Sequence, residues 1–196
     1  MLRLAVLLSG GGRTLDNFHQ RIAAGDLRAR IEVVVSNAAS ALGLEKARNY
    51  GYPAFSAPDS QATNAILANY DLDLVCLAGY LKLYTPPDHL KKAVLNIHPS
   101  LIPAFCGGGF YGMRVHRAVY RRGVGVSGCT VHFADAAYDE GPIVVQKCVA
   151  LGADDPPEAI AGKVFAAELE AYPEAINLVD ERGIDYFWQR VAGRQT

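Results

Sequence analysis

Leu4-Ala5-Val6-Leu7-Leu8-Ser9-Gly10-Gly11-Gly12-Arg13-Thr14-Leu15 is the stretch from which the fold follows. An unbroken apolar run stops at three glycines, and Arg13 to Ala23 then carries apolar residues at Leu15, Phe18, Ile22 and Ala23. The run is a buried strand and the spacing after it is one face of a helix, so the unit is strand, glycine turn, helix. Such a turn aims backbone N–H groups and the positive end of a helix dipole at one spot, which suits a phosphate. The plainer role of the glycines is a tight bend that needs positive φ. A dinucleotide site would want a third glycine near Leu15 and an acidic residue after the next strand, where the chain has Ser36-Asn37, so NAD is not expected.

The alternation continues outward. Ile31 to Val35 reads as a strand and Ala41 to Asn49 as the helix after it. Pro53-Ala54-Phe55 is a short third strand, a weak helix lies around Thr63 to Ala68, and Leu72 to Leu77 is a fourth strand ending at Ala78-Gly79-Tyr80. Strands that alternate with helices imply right-handed βαβ units and a parallel twisted sheet, an α/β fold. Lys91 to Leu95 then runs from charged to apolar into Asn96-Ile97-His98, and Pro99, lacking a ladder donor, closes that strand. Side chains alternate along a strand, so Asn96 and His98 share a face at its carboxyl end, where open sheets bind ligands. An Asn-x-His pair is a common spacing, and it gains meaning only if other residues answer to it.

Past Pro99 the pattern changes. A glycine-rich stretch, Cys106-Gly107-Gly108-Gly109-Phe110-Tyr111-Gly112, precedes a helix through Val115, Val119 and Tyr120. Val126 to Phe133 and Ile143 to Val149 are two strands that form a hairpin extending the sheet. Pro156-Pro157-Glu158 opens a long helix to about Val179, with proline in the first turn where its missing N–H does no harm.

Composition narrows the function classes. The 196 residues fit one domain, 1–196, and 51% hydrophobic with 20% charged residues is ordinary for a globular protein. No apolar run approaches a membrane span, and the short N-terminal run meets glycines rather than a cleavage site, so a first strand is expected there rather than a signal sequence. Cys76, Cys106, Cys129 and Cys148 are scattered without a Cys-x-x-Cys pair, which argues against a zinc ribbon or a disulfide framework and fits a reducing cytoplasm. No metal is expected. A formal net charge of −1 and the lack of a basic run with interleaved aromatics point away from nucleic acid and toward small-molecule partners, for a monomer or homodimer.

Several ordered motifs remain: Ser9-Gly10-Gly11-Gly12, Ser36-Asn37 with Gly43-Leu44-Glu45, Leu77-Ala78-Gly79-Tyr80-Leu81-Lys82, Asn96-Ile97-His98-Pro99-Ser100-Leu101-Ile102-Pro103, Val131-His132-Phe133 and Asp139-Glu140-Gly141-Pro142-Ile143. Together they resemble the glycinamide ribonucleotide transformylases, folate-dependent formyltransferases of purine synthesis, over nearly the whole chain. The resemblance implies a Rossmann-like formyltransferase fold: a largely parallel twisted sheet flanked by helices and extended by a C-terminal antiparallel hairpin. In it an N-terminal half, about residues 1–100, would bind phosphate and a C-terminal half, about 101–196, folate. It implies transfer of a formyl group from 10-formyltetrahydrofolate to the primary amine of glycinamide ribonucleotide. Asn96, His98 and Asp139 would be catalytic, and Gly10, Gly11, Gly12, Arg13 and Thr14 with Glu168 would hold the substrate's phosphate and ribose. Leu81, Lys82, Leu83, Tyr84, Asn96 and Tyr138 would bind the folate.

The residue types suit the chemistry. Attack of an amine on a formyl group puts negative charge on oxygen, which a preorganised donor stabilises; Asn96 and a protonated His98 could supply it. The attacking nitrogen must lose a proton while the folate nitrogen gains one, which calls for a carboxylate. Spacing alone does not choose among Asp135, Asp139 and Glu140; the resemblance selects Asp139. A carboxylate beside His98 would favour its charged form. His132 lies near the site by the same resemblance or is a satisfied strand histidine, Glu168 has a solvated helix face as its plain alternative, and His19 and His89 are read as surface residues.

The sequence also departs from the pattern. Arg13-Thr14 replace a small polar residue and an asparagine, although an arginine there could pair with phosphate. The stretch Ala104 to Arg114 is about four residues longer than usual and rich in glycine, and Ser56 to Tyr70 is shorter. These departures leave room for a different amine acceptor on the same fold. Hydrolysis of formyltetrahydrofolate would use the same Asn, His and Asp set, but those enzymes usually carry an N-terminal regulatory domain, and here the sequence opens at its first strand. A nucleotide-binding module without catalysis would leave that set unexplained.

Overall fold

The computed structural model describes residues 1–135 and 139–193. Strands β1 (Leu2–Leu8), β2 (Ala29–Ser36), β3 (Ala54–Ser56), β4 (Leu74–Leu77), β5 (Val94–His98), β6 (Val126–Phe133) and β7 (Ile143–Ala150) form a seven-stranded sheet in the order β3-β2-β1-β4-β5-β6-β7. The pairs β1–β2, β1–β4, β2–β3 and β4–β5 are parallel, and β6–β7 is the antiparallel hairpin. Helices α1 (Arg13–Ala24), α2 (Leu42–Asn49), α3 (Ser60–Leu67), α4 (Met113–Arg122), α5 (Pro157–Arg182) and α6 (Ile184–Ala192) complete it. The expected α/β architecture is the observed one. By its contacts the chain divides into two compact units, Met1–Asn96 and Ile97–Thr196.

In the first unit β1 is central, paired on both sides, and Leu4 to Leu8 are wholly buried. A strand covered on both faces has no solvent side to alternate with, hence its continuous apolar run. α1 buries Leu15 and Phe18 and α2 buries Leu44 and Ala47. Each large side chain so buried contributes roughly 1.5–3 kcal/mol relative to exposure. Helix α3 starts three residues before the expected Thr63 because Asp59 caps it, its carboxylate accepting the Ala62 N–H at 2.9 Å. β4 starts at Leu74 rather than Leu72, because the Asp73 carboxylate turns toward Arg3 and takes its Nε–H at 2.9 Å.

In the second unit α5 lies across β6, β7 and α4 and buries Ile160, Val164, Tyr172, Ile176 and Val179. It runs on through Pro173, which has no N–H to donate, a loss that costs about 3 kcal/mol in a helix interior. Buried neighbours Tyr172, Ala175 and Ile176 hold it in place. Two elements were not expected from the sequence, a single 3-10 turn at Asp88–Leu90 and helix α6. Gly183 separates α6 from α5, and α6 docks by Phe187 and Trp188, whose rings lie 5.8 and 6.0 Å from that of Phe133. Its short aromatic run carries too few turns to show a period. No described helix is long and apolar enough to cross a membrane.

Candidate active site

The first unit gathers motifs that are far apart in sequence onto the turn after β1. Ser9 donates its hydroxyl to Asn37 Oδ1 at 2.5 Å and accepts the Leu81 N–H at 2.8 Å, while its own N–H reaches the Gly79 carbonyl at 3.2 Å. One hydroxyl thus joins the glycine turn to Ser36-Asn37 and to Gly79–Leu81. The Gly43 N–H donates to the Gly10 carbonyl at 3.0 Å, which brings α2 against the same turn. Gly12 sits at φ 72 as the N-cap of α1, and a Cβ there would come within 2.8 Å of Gly43 Cα, so glycine is required. Gly10 and Gly11 face open space. The N-cap Gly12 has no side chain to give the first turn of α1, which leaves the arrangement a helix uses for an anion. Arg13 is exposed at the mouth of the turn and Thr14 is half-buried beside it.

Residues 81–84 have unequal surroundings. Leu81 and Leu83 are exposed, and Lys82 Nζ donates to the Pro58 carbonyl at 2.8 Å. Tyr84 is buried and gives its hydroxyl to Asn64 Oδ1 at 2.8 Å, with burial raising its pKa. Tyr84 therefore anchors the segment to α3. Asn96, half-buried near the end of β5, is in register with Leu77 at the end of β4.

The second unit holds a buried cluster around Asp139. His98 Nδ1 lies 3.6 Å from Asp139 Oδ2 and His132 Nε2 lies 3.5 Å from Asp139 Oδ1. The outer nitrogens of the two rings are engaged as well: His98 Nε2–H donates to the Phe105 carbonyl and His132 Nδ1–H to the Phe133 carbonyl, both at 2.9 Å. The Gly107 N–H donates to Asp139 Oδ2 at 2.8 Å. Ser100 donates to the Ala104 carbonyl at 2.5 Å, which holds the start of this segment. The long glycine-rich stretch is thus built into the cluster through Phe105 and Gly107. Phe105 and Asp139 both have left-handed backbone, with φ 53 and 62, conformations held by these contacts.

Burial and neighbouring groups act on the cluster in opposite directions. Burial, the largest influence, drives the His98 pKa down, and the Phe105 carbonyl and Asp139, which push the other way, do not overcome it. Burial thus works toward the neutral imidazole, while the carboxylate and the carbonyl on its two nitrogens work toward the charged one. Burial would raise the Asp139 carboxyl, but hydrogen bonding from His132 and Gly107 and the neighbouring imidazoles outweigh it and hold the group below its ordinary value. The result is an ionised carboxylate between two rings, able to balance an imidazolium once a proton arrives. Two residues outside the expected site belong to this region: His132, left open by the sequence reading, and His116, buried on α4 and pushed to lower pKa by burial and by His98.

Glu168 is half-buried on α5 and acts on the buried Cys129 thiol, which burial and then Glu168 push up to about 12. His19, read as a surface residue, is half-buried and stacked on Tyr50 at 3.8 Å. Tyr138 lies outside the described residues. Among the described residues no group of His, Cys, Asp or Glu has the arrangement to hold a metal ion.

The chain is similar to known proteins along most of its length. The sequence pattern of the family described as formyl transferase matches residues 2–176. The chain is 37% identical over 194 residues to the chloroplastic phosphoribosylglycinamide formyltransferase of Vigna unguiculata, covering 93% of this chain and 62% of that protein. It is 36% identical to its counterpart in Arabidopsis thaliana, covering 94% and 67%. It thus spans about two thirds of the length of these curated relatives. A crystal structure of glycinamide ribonucleotide transformylase 1 from Symbiobacterium toebii is similar at TM-score 0.82 and 39% identity, over 93% of this chain and 89% of that one.

Proposed function

Since the chain belongs to the formyl transferase family, we propose that it transfers a formyl group from 10-formyltetrahydrofolate to the primary amine of glycinamide ribonucleotide, a step of purine synthesis. The glycine turn after β1 carries the choice of acceptor: an uncapped helix start with two open glycines is what a phosphate dianion needs and what water as acceptor does not. Gly10, Gly11, Gly12, Arg13 and Thr14 hold the phosphate and Glu168 the ribose. Leu81, Lys82, Leu83, Tyr84, Asn96 and Tyr138 bind the folate. The N-terminal half, about residues 1–100, serves phosphate binding and the C-terminal half, about 101–196, folate binding. The protein works as a monomer or homodimer in the cytoplasm and uses no metal.

In this reading Asn96 donates its carboxamide N–H to the oxygen that becomes negative as the amine adds to the formyl carbon. The ammonium proton passes to the unit formed by His98 and Asp139, in which the neutral imidazole takes the proton and the carboxylate balances the resulting charge. Collapse of the intermediate returns a proton to the departing folate nitrogen. Purified protein incubated with 10-formyltetrahydrofolate and glycinamide ribonucleotide should consume the donor and form the formylated nucleotide in equal amounts. Equal donor loss without any amine would instead mean hydrolysis, and transfer only to another amine would replace the acceptor.

A further inference from the structure

Behind the glycine turn lies a side-chain network that the proposed reaction does not use. Asp16, in the first turn of α1, accepts from Lys46 Nζ at 2.5 Å and from the Tyr50 hydroxyl at 3.0 Å. Tyr50 stacks on His19 with planes 8° apart, and His19 Nδ1 is hydrogen-bonded to the Tyr52 hydroxyl at 2.8 Å. The Lys46 stem passes the turn itself: a Cβ on Gly12 would lie 3.7 Å from Lys46 Cδ. The Gly43 N–H, bonded to the Gly10 carbonyl, fixes the helix that carries Lys46.

This placement answers an electrostatic difficulty. A carboxylate in the first turn of a helix is favoured by the dipole when nothing is bound, but it opposes a dianion held at the same helix end. Asp16 stands in that position, and Lys46 is the cation seated on it. We infer that Lys46 is a positioning residue that neutralises Asp16 behind the turn and so makes the site selective for acceptors bearing a phosphate monoester dianion. This rests on the acceptor reading above.

The test is a double-mutant cycle that removes the two charges singly and together. Lys46→Met should raise KM for glycinamide ribonucleotide about tenfold with kcat nearly unchanged, the size expected of one uncompensated charge at a partly exposed site. Calorimetry without folate should show the same loss in Kd, while the phosphate-free glycinamide riboside binds as before. The double variant Lys46→Met/Asp16→Asn should return to within about threefold of wild type, because the repelling carboxylate is gone. Asp16→Asn alone, a readout that survives if Lys46→Met fails to fold, should bind the nucleotide as tightly as wild type or more so. An unchanged KM in Lys46→Met, a double variant as impaired as the single one, or a rise in KM for Asp16→Asn would each overturn the inference. A wild type that binds and formylates no glycinamide ribonucleotide would overturn the acceptor reading and this inference together. A wild type that does so beside an equally good Lys46→Met would overturn the inference alone.

Discussion

The turn after β1 and the cluster around Asp139 are built in opposite ways. The turn is made of backbone: Gly10 and Gly11 offer open space, Gly12 is fixed by a close approach, and side chains such as Ser9 and Lys46 stand behind it. The cluster is made of buried side chains, His98, His132 and Asp139, whose remaining polar atoms are engaged by backbone groups of Phe105, Gly107 and Phe133. A backbone site depends on shape and on the charge nearby, so it tolerates side-chain changes around it that leave both unaltered. A buried side-chain site depends on each proton, so a single atom exchanged there alters function.

That contrast sets the size of effects. Asp139→Asn and His98→Ala should each lower turnover at least about a hundredfold, because each removes a proton-handling group. Asn keeps the left-handed backbone at residue 139, so circular dichroism should stay native, and near-normal turnover in either variant would break the contrast. Gly11→Asp comes next. Its Cβ meets nothing, so the fold should hold while the acceptor KM rises about tenfold or more and the folate KM barely moves. Gly12→Asp, by comparison, would collide with Gly43 and confound binding with folding. Equal loss for both substrates in Gly11→Asp would make the turn a mere bend.

The pH dependence of stability should show a smaller effect. Burial lowers the pKa of His98 and His116, so the unfolded chain binds their protons first as pH falls below about 6.5. Their contribution is therefore full above the unfolded value and is lost on acidification through the lower folded value. Asp139, depressed below 3.8, behaves likewise at lower pH: its contribution is present above the unfolded value and fades as pH falls through the folded one. Melting temperature should drop as pH falls below about 6.5, and His116→Gln should flatten that slope; a slope unchanged by the substitution would remove His116 from the account. The smallest effect is none at all. Dialysis against a chelator should leave activity intact, and restoration of a lost activity by zinc would refute the metal-free mechanism.

The fold was legible because its signals are local and repeated. Leu4–Leu8 is a continuous apolar strand, Ile31–Val35 is apolar but for Glu32, Val126–Phe133 mixes apolar with small polar residues yet is buried beyond its first position, and the glycines after β1 mark the turn. α6 was missed because its burial comes from Phe187 meeting Phe133, a contact no local window contains. In the site, Asn96 and His98 were legible from strand alternation, and the likeness to a known family selected Asp139. The downward pull of burial on the His98 pKa was not legible, because neighbouring charges can be guessed from motifs whereas burial is set by packing. The bonds from Phe105 and Gly107 were hidden for a related reason, since backbone atoms contribute to a site without regard to residue type.

The last consequence comes from the short strand β3. It ends the sheet with only three residues, Ala54–Ser56, and Pro53 and Pro58, on either side, have no N–H to offer a neighbouring chain. An incoming strand would find a template too short to grip, even though Phe55 is exposed and apolar. Concentrated solutions of the folded protein are protected at this border against edge-to-edge growth into fibres, a safeguard that lengthening β3 by a few valines would remove.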